Sequence, residues 1–479
     1  MFPAHVVLVL ALLQATPSAN PNNSVILQDI QAGKYREARE KIQQATKKAP
    51  QDVGLWRQLG EVDVRLQDTD GAIAALQTVR SLTPRDAGVY FNLGVLFVQK
   101  GAPVEALKMY SQGLALDPRN EEANRNYAFL LLQGGKSCDA VEPLERLKGM
   151  KGGDLSVRAS LIESLLKCGN EQAGKRELGE FLQLPSATVE DRMKLAKVLA
   201  KDHYLEAAEE TLENVAGNAP GFAEAHADLG LLLLQKNQFE DAARQLGRAV
   251  QLEPSSARYS MDLAQVLLKA KQYPTALEFL KGAKDRFGTL PEYAYKLAWA
   301  HYGLGDVPQA VAQLEPLVQQ HPELDLAHYS LGNCYVALGR LPEAETRYRE
   351  AIALNPKNGS YHSALGQVLR KKGPDGVDEA ILELEKARQL KPADLDTRVQ
   401  LAICYEQKAA LPEAARLLEA TVQERPSLAE AHRVLARVYY RQGKKEQGDR
   451  ESAIVLKLDT ERDARGRPPM GNSSAPQNF

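Results

Sequence analysis

One period of 34 residues governs this chain. Stepping back from Ala344 by that interval gives Ala310, Ala276, Ala242, Ala208, Gly174, Ala140, Ala106, Ala72 and Ala38. Stepping forward, Ala380 arrives two residues late and Ala414 follows at the normal spacing. A second column of small residues runs Gly60, Gly94, Ala128, Ile162, Ala196, Gly230, Ala264, Ala298, Gly332, Gly366, Ala402 and Ala436. A third column, Pro50, Pro84, Pro118, Pro220, Pro254, Pro322, Pro356, Pro392 and Pro426, closes most copies. The period overrides the usual inference from length. A chain of 479 residues would suggest about three globular domains, but a repeat array grows linearly and each unit touches only its neighbours.

One copy, residues 325–358, shows what each unit is. Leu331, Gly332 and Tyr335 fall on one helical face, and Ala344, Tyr348 and Ala351 fall on a second. Gly339 stops the first helix and Pro356 the second. Neither helix is long enough to stand alone, so stability has to come from stacking on copies. Glycine inside a helix costs about 1 kcal/mol against alanine, so the two small columns must mark close helix crossings.

Trp56-x2-Leu59-Gly60, and Tyr90-x2-Leu93-Gly94-x2-Phe97 with Ala106, Tyr110 and Pro118, match the W-x2-L-G-x2-Y…A-x3-F…P pattern. Over roughly residues 20–460 the chain resembles the tetratricopeptide repeat family. The resemblance implies an all-α fold. It would be a right-handed superhelical solenoid of about thirteen stacked antiparallel helix pairs, with first helices lining a concave groove.

The register divides the chain as follows. Residues 1–19 hold an apolar run at 6–13 of signal-peptide length, without Lys or Arg before it, followed by the small residues Ala15, Ser18 and Ala19. We read it as an export signal, the alternative being an unstructured leader. Residues 20–52 form a polar N-terminal capping pair, 53–154 three repeats, and 155–188 a degenerate repeat. Residues 189–428 form seven repeats, 429–465 the last repeat with a charged C-terminal capping helix, and 466–479 a disordered tail. In the degenerate unit Ile162 is expected to pack over Gly174, a volume-conserving exchange across one helix pair. The two-residue excess at 372–376 is expected to form a turn cluster.

Composition gives no sign of a nucleic-acid partner, since 60 basic and 62 acidic residues nearly cancel. No zincin, Walker, dinucleotide or nucleophile-elbow motif occurs, so neither a catalytic residue nor a cofactor nor a metal is expected. His226, His328, His362 and His432 share the slot that Trp56 and Tyr90 fill, which points to packing. Cys138 and Cys168 fall at neighbouring helix ends in adjacent units. A disulfide between them is geometrically possible, worth about 3–4 kcal/mol; two free thiols are equally compatible. Cys334 and Cys404 sit two units apart as core residues.

The resemblance also supplies ligand-facing slots, the second, fifth, sixth, ninth, twelfth and thirteenth of each unit. Three neighbourhoods emerge. One holds Phe91, Asn92, Asn126 and Phe129 with Val95, Val98 and Leu132. The second holds Tyr295, Trp299, Tyr302, Tyr329 and Asn333. The third holds Arg433, Arg437 and Arg441 with Tyr440. The second is the sharpest, because rigid aromatics off the core register serve as interaction hot spots; later helices packing over them is the alternative. The arginines would grip a carboxylate or form a solvated cap. Asn92 and Asn126 start an asparagine ladder that does not continue, and the Lys–Asn–Asn–Lys–Arg clamp of chaperone-binding members is not found. The expected function is that of a non-enzymatic scaffold holding extended peptides or helices of partner proteins. The alternative is a substrate-recruiting partner of a glycosyltransferase or a secretion machine.

Overall fold

A computed structural model describes residues 23–150 and 154–464. Residues 1–19, read above as an export signal, and 466–479, read as a disordered tail, lie outside the described residues. Those described form 26 helices and no strand. They fall into two compact units, one ending at Asp228 and one starting at Leu229.

The first unit contains α1 (Asn23–Gln31), α2 (Tyr35–Lys48), α3 (Val53–Arg65), α4 (Thr69–Leu82), α5 (Ala87–Gln99) and α6 (Pro103–Leu116). It continues with α7 (Glu121–Gln133), α8 (Ser137–Met150), α9 (Leu155–Lys167), α10 (Glu171–Leu182), α11 (Val189–Lys201) and α12 (Leu205–Asn218). The unit boundary falls inside α13 (Ala223–Gln235). The second unit holds α14 (Phe239–Leu252), α15 (Ala257–Lys269), α16 (Tyr273–Phe287), α17 (Pro291–Gly303), α18 (Val307–Gln320), α19 (Asp325–Ala337) and α20 (Leu341–Leu354). It ends with α21 (Gly359–Lys371), α22 (Pro374–Leu390), α23 (Leu395–Gln407), α24 (Leu411–Glu424), α25 (Ala429–Arg441) and α26 (Lys445–Ala464).

Local chemistry sets the helix ends. Side chains of Asp52, Asp86, Asn120, Asp154, Thr188, Ser256, Asn358 and Asp394 cap the N-termini of first helices. The turn into each second helix passes through one left-handed residue. It is glycine at Gly33, Gly101, Gly135, Gly169, Gly305, Gly339, Gly373 and Gly443, but Gln67, His203, Asn237, Lys271 and Ala409 elsewhere. Only the last group pays the cost of a Cβ in that conformation.

The two small columns meet large side chains. All eleven alanines of the first column are fully buried. In the second column, a Cβ on Gly94 would lie 2.9 Å from the Tyr110 ring, and one on Gly60 would lie 3.2 Å from Leu76. The same facing slot holds Leu144, Leu212, Leu280, Leu314 and Leu418 where the small residue is alanine (Ala128, Ala196, Ala264, Ala298, Ala402). Tyrosine occurs there only opposite glycine, as in Gly94/Tyr110 and Gly332/Tyr348. Leucine is small enough to accept either partner.

Two expectations are corrected. The space over Gly174 is taken by Leu166, whose Cδ2 would lie 2.7 Å from an added Cβ, and not by Ile162. Ile162 is fully buried, in the slot that faces Leu178 in the repeat register. The excess at 372–376 is not a turn cluster. Only Gly373 is left-handed; Pro374 starts α22, which has 17 residues where α20 has 14. Proline at a first helical position costs no hydrogen bond, so the insertion is absorbed as helix.

Cys138, in the first turn of α8, and Cys168, the C-cap of α9, form a disulfide with Cα atoms 5.3 Å apart. It clamps one of the junctions at which the closing proline of the period is missing. Cys334 and Cys404 are buried free thiols, with burial pushing both thiol pKa values up, to about 12 and about 11.

Candidate functional site

Within the second unit, first helices of successive pairs touch one another, α15 with α17, α21 with α23 and α23 with α25. First helices therefore form the crowded side of that stack. On this side lies a cavity of about 530 Å³, whose walls come from α15, α17, α19, the start of α21 and the residue after α22.

Its aromatic wall is Tyr295, Trp299, Tyr329 and Tyr361. Tyr295 and Trp299 share a helix face four residues apart and meet edge-on, centroids 6.5 Å apart. Tyr329 lies tilted on Tyr361 at 4.9 Å. Trp299 rests on the core cluster yet stays half-buried, so the array does not seal it. Tyr295 is also half-buried; its hydroxyl accepts from Ser330 Oγ at 3.4 Å, and burial raises its pKa. Tyr361 donates to Asp325 Oδ2 at 3.0 Å, which fixes its ring.

The cavity is also cationic. Lys269, Lys296 and Lys391 line it against the single carboxylate Glu292. Lys296 is 4 % exposed; its ammonium reaches Gln265 Oε1 and Glu292 Oε1, each at 3.1 Å. Lys391 donates to Ser360 Oγ at 2.7 Å. Among the described residues no carboxylate stands within ion-pair distance of Lys269 or Lys391. Gln265, Lys269, Glu292, Lys296, Leu326 and Ser360 all occupy the ligand-facing slots of the register.

The other sequence-derived candidates are placed differently. Tyr302 is half-buried, with burial pushing its hydroxyl pKa up to about 12, and does not line the cavity. Asn333 is buried, as Tyr329 on the cavity wall is, and its Oδ1 accepts from the Tyr348 hydroxyl at 2.7 Å. In the first unit Asn92 and Asn126 are buried, while Phe91 and Phe129 are half-buried and the Phe91 ring fills the space beside Gly113. The arginines are held by the chain's own acids. Arg437 binds the buried Glu406 carboxylate through Nε and Nη2, and Arg441 donates to the Glu406 carbonyl at 2.7 Å. Arg433 pairs with Glu430 at 2.5 Å and Asp459 at 3.3 Å.

The histidine slot does more than pack. Each ring donates from Nε2 to the carbonyl of the proline six residues earlier. The pairs are His226 to Pro220 at 3.3 Å, His328 to Pro322 at 3.0 Å, His362 to Pro356 at 2.9 Å and His432 to Pro426 at 3.0 Å. Trp56 Nε1, Tyr90 OH and Asn124 Nδ2 do the same to Pro50, Pro84 and Pro118. The slot thus satisfies a carbonyl that the end of the preceding second helix leaves without a partner. On their other edge His362 and His432 meet Glu383 and Glu451, each at 2.5 Å. Among the described residues no cluster of side chains could hold a metal ion, and no helix is long and apolar enough to cross a membrane.

Two sequence profiles, each described as a tetratricopeptide repeat, match residues 227–291, 295–358 and 335–394, and residues 29–93 and 377–438. Among solved structures, one described as Naa15/Naa10 bound to HypK-THB is 14 % identical, with 92 % of this chain and 76 % of that chain covered and a TM-score of 0.41. Yeast Tom70 is 17 % identical over 85 % of this chain and 94 % of its own, with a TM-score of 0.37. A Thermus thermophilus tetratricopeptide protein is 26 % identical over 38 % of this chain and 98 % of its own, with a TM-score of 0.34. No curated protein matches the sequence significantly.

Proposed function

This chain belongs to the tetratricopeptide repeat family, and from that premise we propose that it is a non-enzymatic scaffold gripping partner proteins on the first-helix face around Trp299. The partner segment would be extended or helical and would lie across α15, α17, α19 and α21. One observation carries the reading: an open cavity whose wall includes a half-buried tryptophan and three tyrosines that three successive pairs position together. Preformed aromatic surface loses little entropy on binding, so truncating such a residue costs about 2 kcal/mol or more. Export of the chain is part of the proposal; the Cys138–Cys168 disulfide supports it, because such bonds persist in oxidising compartments.

The test is affinity purification from the native host with the wild type and with Tyr295→Ala/Trp299→Ala, followed by quantitative mass spectrometry and a circular dichroism check of helix content. Selective loss of one or more partners from the variant is the expected result. Equal recovery of every partner would remove this face from consideration.

A further inference from the structure

We infer that the segment held at the Trp299 cavity is acidic, with carboxylate side chains flanking an aromatic or large apolar residue. The inference rests on the scaffold reading above and adds the chemistry of the occupant. Its carrier is the order of charges along the array. Lys269 stands on α15 at one end of the cavity, and Lys391 follows α22 at the other. Between them come the aromatic side chains of α17, α19 and α21. A chain laid along this face meets cation, aromatic surface and cation in turn.

The lysines are not spent internally. Lys296 is the one tied to Glu292, and that pair neutralises itself. Lys391 is positioned by a hydroxyl, which orients an ammonium without cancelling its charge. Three ammonium groups thus line the cavity against one carboxylate, while Asp325 and Asp394, the acids behind its tyrosines, are held by Tyr361, Asn355 and Thr397. Low-dielectric aromatic walls strengthen such charges relative to open surface. The residues that looked most suited to acid recognition, Arg437 and Arg441, are engaged by Glu406.

Trp56 and Trp299 are the chain's two tryptophans. Trp56→Phe therefore makes Trp299 fluorescence a direct report from the cavity, and calorimetry on the unmodified chain serves as a second readout. The probes are three synthetic peptides of alternating residues: glutamate with phenylalanine, glutamine with phenylalanine, and lysine with phenylalanine. The glutamate peptide should shift Trp299 emission and bind at least about tenfold tighter than the glutamine peptide, with the lysine peptide weakest. Added salt should narrow the gap. Lys269→Gln/Lys391→Gln should reduce the glutamate preference to about threefold or less.

Equal binding of the glutamate and glutamine peptides, or a preference that survives the double substitution, overturns the inference and leaves the scaffold reading intact. Silence of Trp299 toward all three peptides, while native partners still depend on Trp299, does the same. Silence toward the peptides together with unchanged partner recovery in the Tyr295→Ala/Trp299→Ala variant overturns both.

Discussion

Gly332→Ala tests the packing rule of the array, that tyrosine in a second helix requires glycine opposite. A Cβ there would lie 2.5 Å from Cε1 and 2.7 Å from Cδ1 of Tyr348. Carbon atoms pack at about 3.5–4.0 Å, so the ring must retreat by about 1 Å. It has little freedom to do so. Tyr348 is 2 % exposed, its hydroxyl donates to Asn333 at 2.7 Å, and its ring leans on Tyr329 at 5.7 Å. Overpacking of this kind costs about 1–3 kcal/mol, and alanine returns about 1 kcal/mol of helix propensity. The net loss should be about 1–2 kcal/mol. With Tyr348→Leu in place the site becomes equivalent to Ala264/Leu280 or Ala298/Leu314. Gly332→Ala should then stabilise, by up to about 1 kcal/mol. The coupling of about 2 kcal/mol far exceeds the scatter of independent sites. Urea titration followed by far-UV circular dichroism gives the global value. Hydrogen exchange of α19 and α20 amides gives the local one, which matters because a repeat array need not unfold as one body. The same sign for Gly332→Ala in both backgrounds would refute the rule.

Ala409 sits at φ +58° in a turn where the equivalent residue is usually glycine; Ala409→Gly should raise stability by about 1 kcal/mol, measured by thermal melting. Burial holds the Asp63 carboxyl up at about 6, against the pull of Arg39. The folded state therefore binds this proton more tightly than the unfolded one, so its contribution is fully present below about pH 4 and lost as pH rises through about 6. Relative to Asp63→Asn, the wild type should lose up to about 3 kcal/mol of local stability between those limits, read by hydrogen exchange in α3 and α4 across pH. Cys138→Ser opens a 30-residue link and should cost about 3–4 kcal/mol, visible as faster exchange in α8 and α9 and matched by reducing the wild type.

Much of this architecture is visible in the period itself. The first helices α3, α5, α7, α9 and α11 start at Val53, Ala87, Glu121, Leu155 and Val189, where the 34-residue spacing begins each copy. Features that glycine and proline do not announce are harder to see. Gln67, His203, Asn237, Lys271 and Ala409 take the left-handed turn without the residue type that signals it, because the stacked helices impose the conformation. The bonds from the histidine slot to proline carbonyls had a readable signal. Trp, Tyr, Asn and His share nothing but an N–H or O–H donor, always six residues after proline. Lys269 and Lys296 stood in ligand-facing slots but were overshadowed by their aromatic neighbours. Lys391 could not be found from the slots at all, since it follows a second helix and reaches the cavity only through the fold. Arg437 and Arg441 looked available because Glu406, in the preceding unit, is linked to them only by stacking.

The most direct test places a photo-crosslinking residue at either of two exposed leucines of the second unit. Leu326 is 40 % exposed on the cavity wall, and Leu382 is 62 % exposed on α22, a second helix. Irradiation of cells carrying each variant should yield partner adducts at position 326, with the attachment points mapping to one recurring segment per partner, and few or none at position 382. Adducts concentrated at position 382, with position 326 silent, would contradict the assignment of recognition to the first-helix face.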